Sequence, residues 1–229
     1  MPEHDPHWAS IGPLIRPRPL PLAAGARLSG IDKQPVSEPL WLGRQGLAGD
    51  QVLDRRWHGG DERAVCVYPQ LHYHYWQRLL PQLQLGPGAF GENLCPDSPD
   101  ETQLCIGDRL RWGEALLEIS QPRAPCVSLD RRHGLPGLSR SLAQSGRTGW
   151  LCRVLEEGRV APNAPLQRLD NPFPQASLAR VWRCWQAPQA ERAFSQWLCR
   201  LPALAQHYRQ GLRERLDSQR RLEDQGRLF

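Results

Sequence analysis

Between Arg27 and Leu169 no apolar run goes far before glycine, proline or aspartate interrupts it, and this punctuation limits the fold more than any other feature. Short strands bounded by such residues favour a barrel or sandwich. The clearest case is Arg109-Leu110-Arg111-Trp112, then Gly113-Glu114, then Ala115 to Ser120. Leu110 and Trp112 alternate with Arg109 and Arg111, the two-residue period of a half-buried strand. Gly113 suits the first central position of a two-residue II′ turn. One helix is expected to interrupt the strands: Pro69 fits its first turn, Leu71, Tyr75 and Leu79 form its stripe, and Pro81 ends it. His72 and His74 lie two apart on this segment and do not face one another, so they read as helix-surface or core-edge side chains rather than a metal pair.

After Asn171-Pro172-Phe173-Pro174 the pattern becomes helical, and Pro188 and Pro202 divide it into three segments. Leu178, Val181, Trp182 and Trp185 stripe the first; Phe194, Trp197 and Leu198 the second; Leu201, Leu204, Ala205, Tyr208, Leu212 and Leu216 the third. The expected fold class is mainly β (α+β). A proline-rich extended leader (1–26) lies outside the core, a β domain, barrel or sandwich, spans 27–170, and a three-helix segment spans 171–229.

Composition excludes several classes. The chain has 229 residues, 40% hydrophobic and 23% charged, which is ordinary for a soluble globular protein. Leu20-Pro21-Leu22-Ala23-Ala24 falls far short of the ~18 apolar residues of a membrane span. Met1-Pro2-Glu3-His4-Asp5 lacks the basic start of a secretory signal. Of 29 cations only Lys33 is a lysine, and the net charge is +5. Codon bias in a GC-rich genome accounts for most of the arginine excess. Spread over the whole chain, it gives no nucleic-acid footprint, so nucleic acid is not expected as a partner. The seven cysteines contain no C-x-x-C pair and are odd in number. Reduced thiols in the cytoplasm are expected, most of them as small buried hydrophobes.

Four segments look over-specified for folding alone. In Trp57-His58-Gly59-Gly60-Asp61-Glu62-Arg63-Ala64, preceded by Gly46-Leu47-Ala48-Gly49-Asp50, paired glycines let backbone approach a ligand closely. A turn with an exposed ion pair is the competing reading. In Gly88-Ala89-Phe90-Gly91-Glu92-Asn93-Leu94, glycines flank an acid and an amide able to orient a heterocycle. In Ile119-Ser120-Gln121-Pro122-Arg123-Ala124-Pro125-Cys126, two prolines stiffen a loop that presents Cys126 three residues after a cation. A nearby arginine favours the thiolate, the nucleophilic and metal-binding form, although a free cysteine is more often inert and buried. In Gly146-Arg147-Thr148-Gly149-Trp150, a turn leads into a strand and Arg147 offers an anion contact.

These motifs in this order, with Gly107-Asp108 and Trp112-Gly113 between them, resemble the MOSC domain, and more narrowly its YiiM-like members. The resemblance covers roughly residues 27–169, and the C-terminal helices resemble a segment such proteins carry after the barrel. Glu62 departs from the His-Gly-Gly-x-Asp-Arg form, which keeps the charge and moves the carboxylate. The resemblance implies a β-barrel that binds the molybdenum cofactor, a pterin dithiolene bearing a phosphate. It makes Cys126 the thiolate ligand to molybdenum, and soft sulfur ligation is chemically apt there. Arg63, Arg123 and Arg147 would then meet the phosphate or the oxo face. Gly60, Glu92, Asn93 and His58 would contact the pterin or its surroundings, with His58 or a neighbouring acid delivering a proton.

The activity implied is reduction of N-hydroxylated compounds, hydroxylaminopurine-type base analogues and hydroxylamines among them, to the amine and water. No G-x-G-x-x-G fingerprint is present, so electrons are expected from a partner flavoprotein reductase. Pyridoxal phosphate is not expected. The alternative is a sulfur-carrier or cofactor-carrier module using a Cys126 persulfide or thiolate.

Overall fold

The computed structural model describes residues 7–21, 28–53 and 58–226, with side chains as far as 218. Six strands form the principal sheet: β1 (His7–Trp8), β2 (Val65–Val67), β3 (Arg109–Trp112), β4 (Ala115–Pro122), β5 (Trp150–Glu156) and β6 (Leu166–Asp170). Their order is β1-β6-β3-β4-β5-β2, with every neighbouring pair antiparallel. The hairpin forms as its alternation requires. Trp112 faces Ala115 across the turn, Gly113 takes φ 58°, and Glu114 stays out of the positive-φ region, as a II′ turn demands. Leu110 and Trp112 are fully buried while Arg109 is exposed.

The sheet curls into a half-barrel, and register shifts in the β4–β5 ladder contribute to the bend. A smaller three-stranded sheet of Gly158–Val160, Leu40–Gly43 and Gly46–Leu47 lies beside it. Among the described residues six α-helices complete the fold: α1 (Gln70–Leu79), α2 (Ser128–His133), α3 (Leu138–Ser145), α4 (Leu178–Gln186), α5 (Arg192–Leu198) and α6 (Gln206–Gly226). Inward residues of the sheet, among them Leu117, Ile119 and Trp150, share one core with Leu178, Val181, Leu198 and Leu212 from the last three helices. Burying each such side chain contributes about 1.5–3 kcal/mol, which holds the helices to the barrel.

Three expectations are corrected. The leader is extended but belongs to the core: Leu14 and Ile15 are buried and pair with Gln34–Pro35, while His7–Trp8 pairs with β6. The buried face of α1 is His72, Tyr73 and Trp76, and Leu79 of the expected stripe is 56% exposed. Aromatic area wins there because the polar tips find partners inside: Trp76 Nε1 donates to Tyr68 Oη at 2.7 Å, and His72 Nε2 meets Glu101 at 2.7 Å. The short helices α2 and α3, between Cys126 and Trp150, were not foreseen. Gly134 (φ 61°) closes α2, and the Asp130 carboxylate accepts from the N–H groups of Gly137 and Ser139 to fix the link to α3.

Candidate functional site

β4 runs to Pro122 and hands the chain to Arg123-Ala124-Pro125-Cys126, after which α2 begins. The Arg123 N–H donates to the Gly149 carbonyl at 3.0 Å and pins this loop to the start of β5. Cys126 is half-buried at the surface end of the loop, beside the exposed Val127. Its side chain hydrogen-bonds with His58 and Ser128. Burial works to raise the thiol pKa. The His58 hydrogen bond and charge, the Arg123 charge and the Ser128 hydrogen bond outweigh it and bring the pKa down to about 6.

The other cysteines contrast with this one. Cys95, Cys105, Cys152, Cys184 and Cys199 are buried, and burial pushes their thiols up, Cys105 to about 11. Cys66 is half-exposed on β2, yet desolvation raises it too, against the pull of Arg123. All seven are free thiols.

Arg123 is 9% exposed, and its Nη2 donates to the Phe90 carbonyl. Its Nη1 is buried with no hydrogen-bond partner. Burial opposes the guanidinium charge, but Cys66, Cys126 and Glu92 more than offset this, so its pKa is raised. A charged donor with an open hydrogen-bonding position beside an acidic thiol is a ready anion contact.

His58 is exposed and enters a tight turn. Gly59 and Gly60 take φ 76° and 84°, and Gly60 has ψ 170°, a region open in practice only to glycine. A side chain on Gly60 would meet nothing within 4 Å, so open space lies before it. The turn closes on itself: Arg63 N–H donates to Gly60 O at 2.8 Å, and Arg63 Nε to Gly59 O at 3.1 Å. Trp57 lies outside the described residues.

Glu92 and Asn93 face inward. Glu92 is fully buried and accepts from Tyr73 Oη at 2.5 Å, Gly88 N at 2.6 Å and Phe90 N at 3.2 Å. Burial raises its pKa, against the Tyr73 and backbone hydrogen bonds. The Asn93 amide accepts from Cys66 N–H at 3.1 Å and donates to Leu14 O at 3.1 Å and Asp50 Oδ2 at 2.8 Å. Both residues shape the loop behind Arg123. Arg147 stacks its guanidinium over Tyr75, 3.9 Å from the ring centroid, and lines a cleft of about 780 Å³ with Leu71, His72 and Trp182. His58, Arg123 and Cys126 are not among that cleft's walls. The structure thus joins Cys126, His58 and Arg123, puts Glu92 and Asn93 behind them, and gives Arg147 other neighbours.

Sequence reasoning passed over two groups here. Ser128 touches the thiol, but nothing in its sequence setting marks it. Lys33 is buried and bonded to Asp50, whose other oxygen accepts from Arg16 N–H at 2.9 Å. Its signal was the lone lysine in a chain whose other cations are all arginine.

Whether these residues suit a molybdenum pterin can be tested on their chemistry. Among the described residues no three His, Cys, Asp or Glu side chains group to hold a metal ion. A metal at Cys126 would therefore take one soft thiolate from the protein and its remaining sulfur from its own cofactor. The acidic thiol and the open donor of Arg123 fit an anionic dithiolene partner.

Comparison with known proteins gives the family of the chain. A family model for the MOSC domain matches residues 54–167. Protein YiiM of Escherichia coli is 39% identical over 160 residues, covering 67% of this chain and 71% of YiiM. A protein named Reductase from Gibberella moniliformis is 35% identical over 166 residues, and the matched stretch is 29% of its length. The crystal structure of YiiM from Geobacillus stearothermophilus superposes with TM-score 0.75 at 31% identity, covering 90% of this chain and 97% of that one. The cysteine in the loop after β4 and the glycine turn that carries His58 are thus set in the half-barrel of a chain that belongs to the MOSC domain family.

Proposed function

We propose that this chain is a cytoplasmic reductase of N-hydroxylated compounds, working on a molybdenum cofactor held by Cys126. The observation that carries the reading is the Cys126 thiol, half-exposed and acidified to about 6 by His58, Arg123 and Ser128. Reduction of R–NHOH to R–NH2 and water consumes two electrons and two protons. The cofactor, when bound, would supply the oxygen-accepting redox chemistry, as cofactors do in such enzymes.

The protein's part is ligation, charge and protons. Cys126 offers a thiolate at neutral pH. Arg123 offers its unpartnered Nη1 as a charged donor, and Arg63 lies on the turn that begins at His58. His58, exposed and hydrogen-bonded to the thiol, can move a proton at the site mouth. The relative named Reductase is much longer than the matched stretch, which accords with electrons arriving from a further module. For this chain a separate flavoprotein reductase fills that role. Seven free thiols and no described helix long and apolar enough to cross a membrane suit the cytoplasm.

The test is hydroxylamine reduction by the cofactor-loaded protein with an artificial electron donor, wild type against Cys126→Ser. Loss of activity in the variant supports the reading; equal rates with equal cofactor loading reject Cys126. The same acidic thiol would also suit a persulfide carrier. Mass spectrometry of native protein separates the two, since a transferable sulfur adduct without molybdenum favours the carrier.

A further inference from the structure

β4 and β5 slip register between Ile119 and Gln121, which leaves Ser120 without a partner in the ladder. Ser120 is fully buried at a three-way junction. Its hydroxyl meets the Glu62 carbonyl at 2.6 Å and the Leu151 carbonyl at 2.9 Å. Its own carbonyl accepts from Ala205 N–H at 2.9 Å. The Glu62 carboxylate completes the junction: both oxygens lie 3.0 Å from the backbone N of Gln206, the first residue of α6, and Oε1 also accepts from Arg153 at 3.3 Å. An acid at a helix N-terminus satisfies an orphan donor and meets the positive end of the helix dipole.

Glu62 sits in the closed turn that begins beside His58. We propose that Glu62 is a positioning residue: by bonding the N-terminus of α6, it lets the C-terminal helices fix where the His58 turn stands against Cys126. The helical segment is then a working part of the site, not only a cover for the core. The bolt is carboxylate to backbone, so only the acid's reach matters on its side and only an N–H on the other. The functional meaning rests on the reading of Cys126 given above, but the geometry does not.

The test alkylates the full-length protein, free of cofactor, with iodoacetamide at pH 7 and follows Cys126 by peptide mass spectrometry. Glu62→Ala removes the acceptor. Gln206→Pro removes the N–H donor alone, because proline is tolerated at the first position of a helix. Each should slow Cys126 alkylation about three-fold or more, because the turn that begins at His58 is no longer held in place against the thiol. Arg180→Ala serves as control: it breaks the 2.6 Å pair with Glu191 in the same helical segment, away from the junction. It should lower the melting temperature and leave alkylation unchanged.

Wild-type alkylation in Glu62→Ala and Gln206→Pro, with only the melting temperature lowered, overturns the proposal. So does equal slowing by Arg180→Ala. A wild-type Cys126 no faster than the buried cysteines would instead overturn the reading of the site itself.

Discussion

Arg123 gives one arm of its guanidinium to the carbonyl oxygen of Phe90 and leaves the other, Nη1, buried and without a partner. A buried charged donor left unsatisfied costs stability on the order of 1–3 kcal/mol or more, so its presence beside an acidic thiol points to a ligand that completes it. Arg123→Lys keeps the charge and removes the fork. The variant should fold, with a loss of about 1–3 kcal/mol in denaturant unfolding, and should retain several-fold less molybdenum cofactor than wild type. Metal analysis of both proteins from the same molybdenum-replete host checks this.

The thiol of Cys126 sets a pH profile. Its alkylation rate should rise through a midpoint at about pH 6 and level off above pH 7. His58→Ala removes the hydrogen bond and charge that lower the pKa most, so the midpoint should move up. A wild-type midpoint at the ordinary thiol value, near pH 8.5, would show that the thiol is not acidified.

Lys33 and Asp50 form an ion pair whose side chains are 6% and 8% exposed. Asp50→Ala strands a buried ammonium, and breaking such a pair costs about 3–5 kcal/mol. Lys33→Met added to Asp50→Ala should recover much of this loss, because removing both partners leaves no buried charge. Urea unfolding of the two singles and the double gives the comparison.

Asp108 is fully buried, accepts from Cys105 N–H at 3.0 Å, and has its other oxygen unpartnered. Burial raises its pKa to about 7, against the Cys105 hydrogen bond and the charge of Arg168. The folded state therefore holds this proton more tightly than the unfolded chain, where an aspartate titrates near 3.9. Its contribution is fully present below about pH 4 and is lost as pH rises through 7. Melting temperatures should fall between pH 5 and pH 8, and Asp108→Asn should flatten that fall.

Much of this was legible in the sequence. The Arg109–Ser120 hairpin could be read because alternation and a glycine turn act locally. The three C-terminal helices followed from stripes broken by proline. The α1 face misled because it buries a histidine and two aromatics whose polar tips find distant partners, Glu101, Tyr68 and Glu92. The stiff loop around Cys126 was visible; its contacts with His58 and Ser128 were not, since His58 comes from a turn far away in sequence. Glu62 carried a signal only as a departure from an expected aspartate. Its partner, the backbone of Gln206, lies 144 residues on, and a backbone donor has no sequence signature.

If Cys126 holds a molybdenum cofactor, the metal content of protein made in a molybdenum-replete cell shows it. Wild type should carry close to one molybdenum per chain, and Cys126→Ser should lose most of it while keeping its fold by circular dichroism. Wild-type protein free of molybdenum, or equal molybdenum in both, would contradict the claim.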